Sequence, residues 1–220
     1  MTTIAIIDYG IGNLRSVEKA LQHVGADARL STDWNEIQAA DGVVLPGVGA
    51  FGACATALRS VGFEPLVRAL ADAGKPLLGI CVGMQLLFEG SEEMGWHVGL
   101  GLLPGQVRRF PDGQRDRSGA LLKVPQIGWN QVWHQSSDLL LAGIESGSYA
   151  YFVHSFYCEP ADRSHIVATT DFAIDYASVV RRDNIWGVQF HPEKSHQVGL
   201  RLLGNFVNLL GGGSPLVKRW

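Results

Sequence analysis

The alternation of apolar and polar positions divides this chain into two regimes. Up to residue 90, short unbroken apolar runs alternate with stretches whose apolar residues recur every three or four positions. Residues 3–8 form an isoleucine-rich run, as in a strand buried on both faces, and it breaks at Gly10-Ile11-Gly12-Asn13. Asn13 is placed to cap a helix over 14–24, where Leu14, Val17, Leu21 and Val24 keep helical spacing until Gly25. A second strand is expected over 27–30. A third, over 42–45, runs into Pro46-Gly47-Val48-Gly49. Helices follow over 53–60 and 65–73, the latter with Pro65 in its first turn and Gly74 past its end. Another apolar run ends at Ile80, and after Cys81 an amphipathic stretch carrying Met84, Leu86, Leu87 and Phe88 begins at once. Strands alternating with helices predict a parallel sheet covered on both faces. Such sheets bind ligands beyond the carboxyl ends of their strands, so the loops at 10–13, 46–49 and 79–83 should gather at one edge around Cys81.

From about residue 100 the pattern changes to short β-branched or aromatic runs, at 107–110, 127–133, 150–157 and 166–170, separated by turn residues. Residues 178–181 and 185–190 read as a hairpin around Arg182-Asp183-Asn184, and a last helix over 197–210 puts Val198, Leu202, Phe206 and Leu209 on one face. The expected fold is α/β: one domain over 1–210 with a mostly parallel, doubly wound central sheet, helices on both faces, and a mixed or antiparallel portion joined to it. Gly211-Gly212-Gly213-Ser214 opens a flexible tail over 211–220.

Composition narrows the function classes. A net charge of −3 is unlike a nucleic-acid scaffold, and the cluster of Arg108, Arg109, Arg115 and Arg117 is interleaved with Pro111, Gly113 and Gly119 as in a solvated hairpin. Three widely spaced cysteines offer neither a disulfide framework nor a CxxC metal pair, which fits a reducing compartment. The N-terminus lacks a basic leader and no apolar run is long enough to span a bilayer, so a cytoplasmic protein is expected.

Candidate chemistry centres on Cys81. Free cysteines are commonly small buried hydrophobes, but this one stands between Gly79 and Gly83 where a strand turns into a helix. That is the geometry of a nucleophile elbow, with the following backbone N–H pointing to where an oxyanion forms. An ordinary thiol is only slightly ionised at neutral pH, and a helix N-terminus contributes roughly 0.3 to 1 kcal/mol, so a base is needed. Of seven histidines, His191 is the one followed by Pro192-Glu193 at the end of an apolar strand. Pro192 favours an extended His191, and in extended chain Glu193 lies on the same side, able to fix the imidazole. A strand-end histidine satisfied by its acid is the structural alternative. A metal set of His191, Glu193 and His196 lacks a second group at ligand spacing.

Gly-Ile-Cys-Val-Gly-Met-Gln (79–85) with a later Phe-His-Pro-Glu (190–193) resembles the class I, triad-type glutamine amidotransferases. Within that family the chain is similar to the glutaminases of histidine biosynthesis, through Asp8-Tyr9-Gly10-Ile11-Gly12-Asn13, Leu45-Pro46-Gly47-Val48-Gly49-Ala50-Phe51-Gly52, Ile127-Gly128-Trp129-Asn130, Tyr151-Phe152-Val153-His154-Ser155 and the continuation to Lys194-Ser195. The resemblance implies that Cys81 attacks the glutamine amide, His191 shuttles the proton and Glu193 orients His191. An oxyanion hole is expected from Val82 N–H, by elbow geometry, and from Val48 or Gly47; Gly47 and Gly49 would let that peptide rotate, so the hole is expected to be incomplete at rest and to form when the partner is occupied, with plain turn glycines as the alternative. The resemblance implies glutamine held near Gly49, Gln85 and Ser155. It also implies a heterodimer with a (β/α)₈-barrel cyclase that makes imidazole glycerol phosphate and aminoimidazole carboxamide ribotide from the ammonia. Asn13, Trp129, Tyr151 and Lys194 are the expected interface positions; no cofactor and no metal are expected.

Three other readings remain open on sequence: a class I glutaminase of pyridoxal phosphate, anthranilate or guanylate synthesis; a dinucleotide-binding module, weakened by Arg15 at the third glycine position of Gly10-x-Gly12; and a regulatory protein that keeps the triad without using it.

Overall fold

A computed structural model describes residues 1–115, 119–135, 137–172 and 174–211. The strand–helix alternation of the first part is present as β1 (Thr3–Ile7), α1 (Leu14–His23), β2 (Asp27–Ser31), α2 (Trp34–Ala39), β3 (Gly42–Gly47), α3 (Phe51–Ser60), α4 (Phe63–Asp72), β4 (Leu77–Cys81) and α5 (Val82–Leu86). The second part contributes β5 (Gly90–Ser91), β6 (His97–Val98), β7 (Gly105–Arg109), β8 (Gln126–Val132), β9 (Ser148–His154), β10 (Phe156–Pro160), β11 (Ile166–Asp171), β12 (Asp175–Arg182), β13 (Ile185–Val188) and α6 (His196–Leu210).

The main sheet runs β2-β1-β3-β4-β13-β12-β10-β7-β5-β6, with β11 paired on β12. From β2 through β13 every pairing is parallel; beyond β13 the ladders are antiparallel except β5 with β7. The parallel strands β3, β4 and β13 are buried at every residue, because helices cover both faces: α1 packs with α6, and α3 with α4 and α5. The last strand in the sequence, β13, lies beside β4 with Gly187 opposite Gly79 and Val188 opposite Ile80. That register puts the chain leaving β13 next to the end of β4, which is how residues far apart in sequence come to share one rim.

Several expectations need correction. Asn13 makes no side-chain bond to the start of α1. The run at 150–157 is two strands, β9 and β10, which part at Ser155 and join different sheets, since β9 pairs with β8 in a separate two-stranded ribbon. The elbow helix α5 has five residues, all buried, rather than one exposed face, because strands and α3 enclose it. Helix α2 was not foreseen: a six-residue helix with one buried side chain, Ile37, has no period to read. Its cap was legible, with Asp33 Oδ1 accepting from the N–H groups of Asn35 and Glu36. In the arginine-rich stretch, Arg115 bridges to Leu121, while Arg108 pairs with Glu92 and Glu159 and Arg109 with Asp112. Arg117 and residues 212–220 of the expected tail lie outside the described residues.

Candidate active site

The elbow is built from packing more than from flexible glycines. Cys81 itself takes the bend, at φ +55° and ψ −114°, a region that costs a non-glycine residue about 1–3 kcal/mol. Gly79 and Gly83 keep ordinary negative φ and serve close approach instead. A Cβ on Gly83 would lie 1.9 Å from the Leu45 carbonyl oxygen, and one on Gly47 would lie 2.7 Å from the Gly83 nitrogen. The elbow is thus wedged against the end of β3, where Gly47 stands opposite Cys81.

Parallel ladders bond alternate residues, and the bond from Val43 N–H to the Pro76 carbonyl fixes which ones. Carried along to the pair Gly47 and Cys81, that order points the Gly47 carbonyl at the N–H of Val82. The next peptides curve into a loop in which Gly49, at φ +84°, is exposed.

After β13 the chain bends at Gln189 and Phe190, and Pro192–Lys194 form a single 3₁₀ turn. The side chains of His191 and Glu193 therefore meet through a turn, not through extended chain as the sequence suggested. Glu193 Oε1 accepts from His191 Nδ1 at 2.9 Å and from Asn13 Nδ2 at 2.9 Å. That bond turns the Asn13 amide toward Glu193, and its oxygen accepts nothing from the start of α1. The His191 backbone is pinned as well: its N–H donates to the Tyr151 carbonyl (3.0 Å), and its carbonyl accepts from Ser195 Oγ (2.7 Å), which itself accepts from Tyr151 N–H (2.9 Å).

With Nδ1–H committed to a carboxylate, Nε2 is the working nitrogen. It is buried without a partner of full hydrogen-bond geometry, and it faces the Cys81 sulfur. Burial alone lowers the imidazole pKa, but the bonds and charges of Cys81 and Glu193 outweigh it and raise it to about 10. Burial pushes the Glu193 carboxyl up, yet the His191 and Asn13 bonds hold it below the ordinary value. Cys81 and His191 are 3% and 2% exposed, and both open onto one cavity of about 400 Å³.

Its lining brings together Val48, Gly49, Cys81, Val82, Gln85, Ser155 and His191 of the expected catalytic, oxyanion and substrate residues, together with Lys194, expected at the interface; Gly47 and Glu193 stand behind it. Gln85 is buried, with its Nε2 donating to the Phe156 carbonyl (3.0 Å) and to Gln189 Oε1 (3.2 Å). Of the lining residues that the sequence reading did not assign to the site, two carry titratable side chains. Glu93 accepts from Phe51 N–H at 2.6 Å and reaches the cavity; within Ser91-Glu92-Glu93 nothing in the sequence separates it from its neighbour. His154, whose pKa burial lowers to about 4, is a neutral wall residue bonded to the Phe156 carbonyl and the Tyr176 hydroxyl.

At the mouth, Trp129 lies flat on His196 (5.0 Å, 2°) and edge-on to Tyr151, while Lys194 sits over the Tyr151 ring. His196 is thus turned to Trp129, away from the metal set considered above, and among the described residues no three His, Cys, Asp or Glu gather to hold an ion. A larger open groove, about 620 Å³, is lined by Asp138, His165, Arg181 and Arg182. Its arginines already pair with Asp138 and with backbone carbonyls, while the Nδ1 of His165 is buried without a partner. No helix among the described residues is long and apolar enough to cross a membrane.

The family profile of glutamine amidotransferase class-I matches residues 5–209. A protein of Syntrophotalea carbinolica described as imidazole glycerol phosphate synthase subunit HisH is 51% identical over 204 residues, covering 92% of this chain and 98% of its own length. The protein of the same description from Geobacter metallireducens is 50% identical over 207 residues, covering 94% and 98%. Among solved structures, one titled glutamine amidotransferase superposes with a TM-score of 0.72 at 18% identity, covering 95% of this chain and 98% of that one. The structure of PurLQS from Thermotoga maritima gives 0.70 at 19%, covering 95% and 96%. At such identities these two speak to the fold.

Proposed function

The chain belongs to the class-I glutamine amidotransferase family, and from that premise we propose how it works as the glutaminase subunit of an imidazole glycerol phosphate synthase in histidine biosynthesis. The carrying observation is the buried Cys81–His191–Glu193 arrangement on a cavity of small-ligand size. As the Cys81 sulfur attacks the side-chain carbonyl carbon of glutamine, its proton passes to His191 Nε2. His191 gives that proton to the departing ammonia, which leaves the thioester, then takes one from the attacking water and returns it to the sulfur as glutamate leaves. Glu193 keeps Nδ1 protonated and supports the imidazolium that stands during each tetrahedral stage.

The tetrahedral oxyanion is received by Val82 N–H and a second donor. At rest the Gly47 carbonyl occupies the Val82 side, so the hole is completed when the Gly47–Val48 peptide rotates and presents Val48 N–H. One such donor is worth about 2.7–4 kcal/mol in the transition state. Substrate glutamine is held by Gly49, Gln85 and Ser155, and Glu93 is the carboxylate that suits its α-ammonium.

The ammonia passes to the cyclase, a (β/α)₈ barrel in a heterodimer with this chain, which forms imidazole glycerol phosphate and aminoimidazole carboxamide ribotide. Trp129, Tyr151 and Lys194 form the docking face, with half-exposed Asn13 at the same rim. Three unpaired buried cysteines suit a cytoplasmic setting. The fold domain is 1–210. The test is ammonia release from glutamine, with and without the cyclase, in wild type and Cys81→Ser. Release should rise with the cyclase and vanish in the variant; a serine variant that hydrolyses glutamine normally removes Cys81 as the nucleophile.

A further inference from the structure

Two buried polar groups next to the elbow take no part in the chemistry above. Tyr9, 3% exposed, donates its hydroxyl to the Pro46 carbonyl at 2.6 Å. Cys54, fully buried, donates its thiol to the Val48 carbonyl at 3.2 Å. Neither side chain lines the cavity. As packing alone, a phenylalanine and an alanine would fill the same places.

Their targets are what set them apart. A peptide plane turns by opposed changes in the ψ before it and the φ after it, leaving the planes on either side where they were. For the Gly47–Val48 peptide, the plane before carries the Pro46 carbonyl and the plane after carries the Val48 carbonyl. Each of those two carbonyls is held by one side-chain donor, and the peptide between them has none. We propose that the Tyr9 hydroxyl and the Cys54 thiol are positioning residues that pin both neighbours of the Gly47–Val48 peptide and confine the loop's motion to that one plane.

The inference rests on the oxyanion reading given above. With both neighbours pinned, rotation brings Val48 N–H to the place the Gly47 carbonyl vacates, beside Val82. Without them the loop can shift as a body, since Gly49 is exposed, has φ +84° and has nothing within 4 Å of where a side chain would start. Burial raises the pKa of both Tyr9 and Cys54, so both remain protonated and able to donate.

The test uses the complex with its cyclase, in wild type and in the variants Tyr9→Phe, Cys54→Ala and Cys54→Ser. Steady-state glutamine hydrolysis is read together with the rate at which iodoacetamide alkylates Cys81, which needs the nucleophile but no oxyanion hole. Tyr9→Phe and Cys54→Ala should each lower kcat about 2- to 13-fold, the worth of one hydrogen bond, with glutamine KM held within about two-fold. Alkylation should keep its wild-type rate, and Cys54→Ser, which retains a donor, should recover kcat. An unchanged kcat in both variants overturns the proposal, as does a serine variant no better than alanine. A joint fall of kcat and alkylation rate also overturns it, because that marks a merely structural role. Should Tyr9→Phe fail to fold, the comparison of alanine with serine at position 54 decides. Wild-type protein that still hydrolyses glutamine after Cys81 is alkylated overturns the nucleophile reading and this proposal with it; insensitive variants beside an alkylation-sensitive wild type overturn this proposal alone.

Discussion

His191 and Glu193 tie catalysis to stability through opposite titrations. The imidazole titrates at about 10 in the folded chain, above its ordinary value near 6.5, so its stabilising contribution is complete below pH 6.5 and is lost as pH rises through 10. The carboxyl titrates below its ordinary value, so its contribution is present above that value and is lost on acidification through the folded one. The pair is worth most between the ordinary carboxylate and imidazole ranges. Unfolding free energies from urea titration should therefore separate wild type from Glu193→Gln most widely near pH 6, and the gap should narrow toward pH 10. A gap independent of pH would mean that the imidazole is not held charged by its neighbours. At this scale the sequence was legible where chemistry rests on residue type and spacing: Cys81 in its glycine frame, and His191 two positions before Glu193. It was illegible where a side chain reaches across the fold. Asn13 sits beside a helix start and reads as a cap, and only the fold shows that Glu193 claims its amide.

The elbow, β3 and the loop after it behave as one mechanical unit. Val48 has negative φ in this structure, since it is absent from the non-glycine residues with positive φ among those described. A half-turn of the Gly47–Val48 peptide carries Val48 across into positive φ, at a cost of about 1–3 kcal/mol that glycine does not incur. That cost favours the resting arrangement until a bound partner or substrate offsets it. Val48→Gly should therefore raise glutaminase activity of the chain without cyclase by about ten-fold, the equivalent of about 1.4 kcal/mol, and shrink the stimulation that the cyclase gives. Unchanged basal activity with full stimulation would place the restraint elsewhere. The elements themselves followed from their apolar patterns wherever these were long, as in β1, α1 and α6. Patterning failed where an element is short or enclosed: α5 is buried all round, and the continuous run through Ser155 conceals a change of sheet between β9 and β10.

The two parts of the molecule meet at the rim where β3, β4 and β13 end, and the β8–β9 ribbon roofs one side of it. Alternation along that ribbon points Ile127 and Trp129 of β8, and Tyr149, Tyr151 and Val153 of β9, to the same outer face, with Ile127 64% and Trp129 46% exposed. Val153 and Lys194 at its border also line the cavity, so whatever covers this face sits over the cavity onto which Cys81 and His191 open. The inner side of the ribbon holds the site: the Tyr151 backbone bonds both His191 N–H and Ser195 Oγ. A partner pressing on the Trp129–Tyr151 pair thus acts on the strand whose backbone is hydrogen-bonded to that of His191. Aromatic anchors at the centre of an interface typically cost at least 2 kcal/mol when truncated, so Trp129→Ala should weaken cyclase binding about 30-fold or more. Its partly exposed ring contributes little to the core, so the unfolding midpoint of the isolated chain should change little. Trp34→Ala, which removes a ring of similar exposure on α2, is the control, because α2 packs against β1 and β2 at the opposite edge of the sheet. Titration of the cyclase into each variant, followed by fluorescence or calorimetry, reads the three affinities directly. Equal weakening by both tryptophan variants would dissociate the docking face from the ribbon, and unchanged affinity in Trp129→Ala would move the anchor to another part of the rim.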